Sequence, residues 1–189
     1  MPGTSMWCST RWRVEPALLL ALGLLLTLTS ALAHPQLPGS RLQGEATLRY
    51  FGFRVYHARL WTLPDFRASQ SAEQPLVLEL EYLRNLQGSA IAERSLKEMQ
   101  RGGRFTDAQA QRWLAGMQRI FPDVKAGDRI SGQHLPGQGA RFWLNGRPAG
   151  QIDDADFARL FFGIWLSETT SEPDMRRVLL GQNDAGPRP

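Results

Sequence analysis

Tyr82 and Arg84 are the residues whose types and spacing first suggest chemistry. In an extended chain they share parity, so a phenol and a guanidinium stand on one side of a strand. That pair is a natural receptor for a carboxylate at the edge of an apolar cleft. The competing reading is a core-edge tyrosine with an arginine that snorkels to solvent. Tyr56 is a further phenol in a strand-like segment and joins them as a candidate ligand contact. Arg94 is the fourth candidate, although it also pairs by spacing with Glu98 one helical turn on. His57 and His134 fall in or near strands and read as packed or surface histidines. His34 would need a second histidine to chelate copper through its amine and imidazole, and none can be located. Asp153, Asp154 and Asp156 read as charge at a helix start rather than as an acid–base cluster.

Other chemistries are excluded by what is missing. The chain contains no G-x-S-x-G, H-E-x-x-H, C-x-x-C or glycine-rich phosphate loop. Its single cysteine, Cys8, rules out a disulfide framework. No catalytic residue, metal ligand or cofactor site is assigned. The basic residues form no run, so nucleic acid is not an expected partner.

These candidates must be positioned by an α+β chain. Glu45–Phe51 and Phe53–Leu63 read as strands joined at Gly52. Pro75–Arg84 alternates, with Leu76, Leu78, Leu80 and Tyr82 on one face and Val77, Glu79 and Glu81 on the other. That is a half-buried strand of an antiparallel sheet. Ser89–Arg101 then reads as a helix with Ala92, Ser95, Leu96 and Met99 inward, stopped by Gly102 and Gly103. Thr106 and Gln109 form a capping box for a helix whose inward stripe is Ala110, Trp113, Leu114, Met117 and Phe121. Gly127–His134 and Gly139–Leu144 read as strands, and Asn145-Gly146 as a hairpin turn. Phe157, Leu160, Phe161, Ile164 and Trp165 form a broad apolar helix face. A short helix runs from Ser171-Glu172-Pro173 to Leu180. The fold expected is an antiparallel sheet covered on one face by helices, in one domain over residues 34–189.

Before that domain lies an address. Arg11 and Arg13 precede an apolar run from Ala17 to Leu28, and Ala31-Leu32-Ala33 is a small-x-small cleavage signature. The run is too short for the roughly 20 residues of a membrane span. Residues 1–33 are therefore expected to be a signal peptide cut after Ala33, giving a periplasmic or secreted protein without an integral span. Cleavage removes Arg11, Arg13 and Glu15 from 22 basic and 18 acidic residues, and leaves no cysteine. A cysteine-free exported chain needs no oxidation to fold.

The ordered set Gln43-Gly44, Val55-Tyr56, Leu60, Leu78-Glu79-Leu80-Glu81-Tyr82-Leu83-Arg84, Phe105-Thr106-Asp107-Ala108, Phe121-Pro122-Asp123, Gly127-Asp128, Phe157, Phe161-Phe162 and Ile164-Trp165-Leu166 resembles the bacterial chalcone isomerase-like proteins. The likeness runs from about Leu42 to Leu180. It implies an open-faced β-sandwich, a large antiparallel sheet with a helical layer and a cleft between them. It also implies where a chalcone isomerase would keep its active residues. The threonine position falls on Phe51, the tyrosine on Gln87, the asparagine on Arg94 and the late hydroxyl residue on Met175. The arginine lands near Pro38 to Arg41, where only Arg41 could serve. Phe51 and Met175 cannot donate to developing charge, so chalcone isomerase activity is not expected. Some non-catalytic relatives bind fatty acids, and the resemblance suggests a small apolar carboxylic acid as ligand. Two alternatives stand beside it: an isomerase or intramolecular lyase with a rebuilt site, and an envelope interaction protein whose cleft is filled by Trp113, Trp143, Trp165 and phenylalanines.

Overall fold

The alternation in Leu76–Tyr82 seeds the sheet. A computed structural model describes residues 33–182, and in it six strands lie antiparallel in sequence order. They are β1 (Arg41–Tyr50), β2 (Phe53–Thr62), β3 (Leu76–Tyr82), β4 (Arg129–Leu135), β5 (Gly139–Leu144) and β6 (Arg147–Ile152). Two helices, α1 (Gly88–Gly102) and α2 (Asp107–Ile120), are inserted between β3 and β4; α3 (Ala155–Leu166) and α4 (Pro173–Leu179) follow β6. The expected signal peptide and the end of the tail lie outside the described residues. Among those residues no helix is long and apolar enough to cross a membrane.

Register places the apolar residues of neighbouring strands side by side. Ala58 faces Leu80 and Leu60 faces Leu78 across β2–β3. Leu80 faces Ile130, and Gly132 faces Phe142 across β4–β5. All of these residues are buried, because the helices pack on this face. A one-residue slip would turn the whole set to the opposite face. The reverse face carries the charges: Arg59 bonds Glu79 at 3.0 Å and Glu81 at 3.1 Å.

The helices begin where the sequence says they should. The Thr106 hydroxyl accepts from the Gln109 amide, and the Gln109 side chain accepts from the Thr106 amide at 2.9 Å. Asp154 caps α3 by accepting from the Phe157 amide at 3.0 Å, and its other oxygen accepts from the Trp113 indole at 2.8 Å. One carboxylate thus starts α3 and ties it to α2.

Three details depart from the expectations. β1 starts at Arg41, earlier than Glu45, because Arg41 and Leu42 already pair with Thr62 and Trp61. β6, implied only by the Asn145-Gly146 turn, is a full strand. Val77 points to the reverse face yet is buried. The lead-in from His34 lies over that face, where the Gln133 amide donates to the Gln36 carbonyl at 2.8 Å and the His34 ring sits 5.6 Å from that of Trp61. The segment that precedes β1 is thus a cover for the outer face of the sheet.

Candidate functional site

The sheet and helices do not close completely against each other. At the β4–β5 end the space is filled by rings: Phe142 packs edge-on against Phe121 and Phe161 with centroids 5.2 Å apart, and Trp113 against Phe157 at 5.8 Å. Toward the β1–β2 end a cleft of about 310 Å³ remains. That volume is near the lower end of the roughly 300–1,000 Å³ typical of small-molecule sites. Leu48, Leu80, Ile91, Phe121, Ile130 and Ile164 make up much of its wall.

All four sequence-chosen residues, Tyr56, Tyr82, Arg84 and Arg94, line this one cleft. Tyr56 and Tyr82 are directly opposite each other on β2 and β3, with rings 6.1 Å apart and edge-to-face. Tyr82 is only 2% exposed. Burial drives both phenol pKa values well above their ordinary value, the Trp165 hydrogen bond partly opposing this at Tyr56. Both hydroxyls therefore remain protonated donors at any physiological pH. The Tyr56 oxygen accepts from the Trp165 indole at 2.9 Å, which leaves its own O–H free to donate.

The arginines stand at the mouth. The Arg84 guanidinium lies 5.7 Å over the Phe53 ring and that of Arg94 5.8 Å over Tyr50. Arg94 also holds Glu98 at 2.8 Å, as its helical spacing indicates. A ligand carboxylate at Arg94 would compete with Glu98, so Arg84 is the less committed cation. Glu98, Ser95, Ser171 and Glu172 complete the polar fringe. Sequence reasoning missed this last pair. They lie between α3 and α4, and no pattern signal connects them to β2 or β3.

The positions matched to chalcone isomerase residues do not gather here. Phe51 is on the β1–β2 turn, with 84% of its surface exposed. Gln87 is the residue before α1, and Met175 is buried in the core. Arg41 donates outward to the Pro64 carbonyl at 3.2 Å. Of that set, only Arg94 lines the cleft. The histidines are elsewhere: His57 hydrogen-bonds Thr47 at 2.7 Å, His134 the Gln74 carbonyl at 3.1 Å, and His34 approaches Glu79 at 3.6 Å. Among the described residues no cluster of three metal-ligating side chains is present.

A helix-covered antiparallel sheet with an apolar cleft under α1 and α3 defines an open-faced β-sandwich. The chain belongs to the chalcone isomerase-like family, whose model matches residues 37–181. An uncharacterized protein of Haemophilus influenzae is 31% identical over 139 residues, covering 74% of this chain and 67% of its own length. The solved structure of an Arabidopsis thaliana fatty-acid binding protein has the same fold, with a TM-score of 0.60 at 13% identity over 80% of this chain and 96% of that one.

Proposed function

We propose that this protein is an exported, non-catalytic carrier that holds an apolar carboxylic acid, of the fatty-acid type, in the sheet–helix cleft. One observation carries the reading: an apolar cleft lined by two phenols, Tyr56, whose oxygen accepts from Trp165, and Tyr82, whose hydroxyl has no hydrogen-bond partner among the described residues. A phenol O–H at such an apolar wall gains most from a guest that accepts its hydrogen bond. A carbonyl or carboxylate oxygen on an otherwise apolar guest would do so, with Arg84 supplying charge at the mouth. The fatty-acid binding of the Arabidopsis structure supports the same ligand class. The leader pattern ending at Ala33 supports export.

Native mass spectrometry of the purified protein, followed by displacement of a fluorescent acyl probe with saturated acids of increasing length, tests this. Affinity is expected to rise with chain length until the cleft is filled and then level off. A protein that carries no acyl ligand and displaces no probe with any acid would overturn the reading.

A further inference from the structure

The turn between β1 and β2 is built against the interests of the fold. It consists of Phe51 and Gly52 at φ 48° and 80°. The same geometry recurs between β5 and β6, at φ 50° and 79°, where the residues are Asn145 and Gly146. Asparagine tolerates the left-handed region, whereas a bulky aromatic residue there is strained. Phe51 gains nothing in return from burial, being 84% exposed, and Phe53 and Tyr50 beside it are 66% and 53% exposed. Immediately behind, Arg49 and Arg54 are cross-strand partners. Like charges directly opposite each other destabilise a ladder, and neither arginine has an ion-pair partner among the described residues. A strained, exposed aromatic turn with a pair of unneutralised cations behind it costs folding stability at each position. Such outliers point to function.

We propose that this hairpin tip docks on a bilayer containing anionic phospholipid. Phe51, Phe53 and Tyr50 enter the interfacial zone, and Arg49 and Arg54 meet the headgroups. Aromatic side chains favour that zone, and arginines just above it gain from the surface charge. A convex tip suits a bilayer better than a protein partner, because it presents no broad flat area of the kind that stable protein interfaces bury. The tip is continuous with the cleft mouth: Tyr50, Arg84 and Arg94 line the cleft, and Arg84 and Arg94 cover the Phe53 and Tyr50 rings. Docking would therefore set the opening against the membrane, so that an apolar guest passes between them without crossing water. That last consequence rests on the carrier reading; docking itself does not.

Co-sedimentation of the purified protein with phosphatidylcholine vesicles, with and without about a quarter phosphatidylglycerol, tests it. Binding is expected on the anionic vesicles, falling steeply with added salt. Phe51→Asn should raise thermal stability, by relieving the turn, while lowering the vesicle partition coefficient about tenfold. An Arg49→Thr, Arg54→Thr double variant should remove most of the preference for anionic lipid. Equal partition of wild type and Phe51→Asn, no binding to anionic vesicles, or a tip-dependent complex with a defined protein in place of vesicles would each overturn docking. Uptake of a fluorescent acid from solution is measured in parallel, since neither Phe51 nor the two arginines line the cleft. Vesicle binding without uptake removes the carrier reading and leaves docking intact; uptake without vesicle binding does the reverse.

Discussion

The indole of Trp165 donates a 2.9 Å hydrogen bond to the hydroxyl of Tyr56, joining α3 to β2 across 109 residues of sequence. This bond fixes the separation of sheet and helix at the cleft and settles the direction in which Tyr56 can act. With one lone pair occupied, its proton is left for a guest.

Removing the hydroxyl with Tyr56→Phe leaves the buried Trp165 indole N–H without its acceptor. A loss of about 1–3 kcal/mol in chemical denaturation is expected. Trp165→Phe in the Tyr56→Phe background should cost less than in the wild type, giving a coupling energy of at least about 0.5 kcal/mol. Additive effects would show that the bond does not form.

Tyr82→Phe separates fold from function. The Tyr82 hydroxyl has no hydrogen-bond partner among the described residues, so stability should change by less than about 0.5 kcal/mol, or rise. Acyl-probe affinity should fall about five- to tenfold, the worth of one hydrogen bond of roughly 1 kcal/mol. Ala90→Trp at the cleft wall should abolish probe binding with the circular dichroism spectrum unchanged.

Gly44 lies where α4 crosses β1. A side chain there would overlap the Val178 carbonyl oxygen, and next to it the Gln43 amide donates to the Leu180 carbonyl at 3.0 Å. The Gln43-Gly44 pair is thus an α4 docking point. Gly44→Ala should cost about 2–3 kcal/mol. Gly39→Ala, at φ 78° with open space around it, should cost only about 1–2 kcal/mol for its backbone. Equal costs would mean that α4 is not seated against β1.

Acid should weaken the fold in two stages. Burial lowers the pKa of His134 below its ordinary 6.5 despite the Gln74 carbonyl, so the unfolded chain takes up this proton first. That stability is complete above about pH 6.5 and is lost as the pH falls. Glu79 is held below 4.5 by His34 and Arg59. Its contribution is present above about pH 4.5 and is lost as the carboxylate protonates. His134→Gln should flatten the melting temperature between about pH 7 and pH 5 while leaving the lower stage. A wild-type melting temperature that is constant from pH 7 to pH 4 would contradict both assignments.

The element order was legible because it is written in local patterns. Leu76, Leu78, Leu80 and Tyr82 declare a strand, and Thr106 with Gln109 declares a helix start; each needs only neighbours within a few residues. The shared cleft position of Tyr56 and Tyr82 followed in part, since strand parity already gave Tyr82 a face. Ser171 and Glu172 escaped notice because their place at the cleft depends on how the chain returns after α3. Val77 was assigned the outer face correctly but not its burial, which comes from a segment forty residues earlier folding across the sheet.

Local pattern alone shows which residues alternate, which cap and which turn, hence an antiparallel sheet with helices. The resemblance implies, in addition, that hydroxyls are missing where a chalcone isomerase keeps them. Only the tertiary structure decided that phenylalanines fill one end of the sheet–helix space while the other stays open. Only it put Phe51 in water rather than in that opening. Periodicity specifies a face, but whether two faces meet tightly depends on side-chain volumes summed over elements distant in sequence, and no local pattern carries that sum.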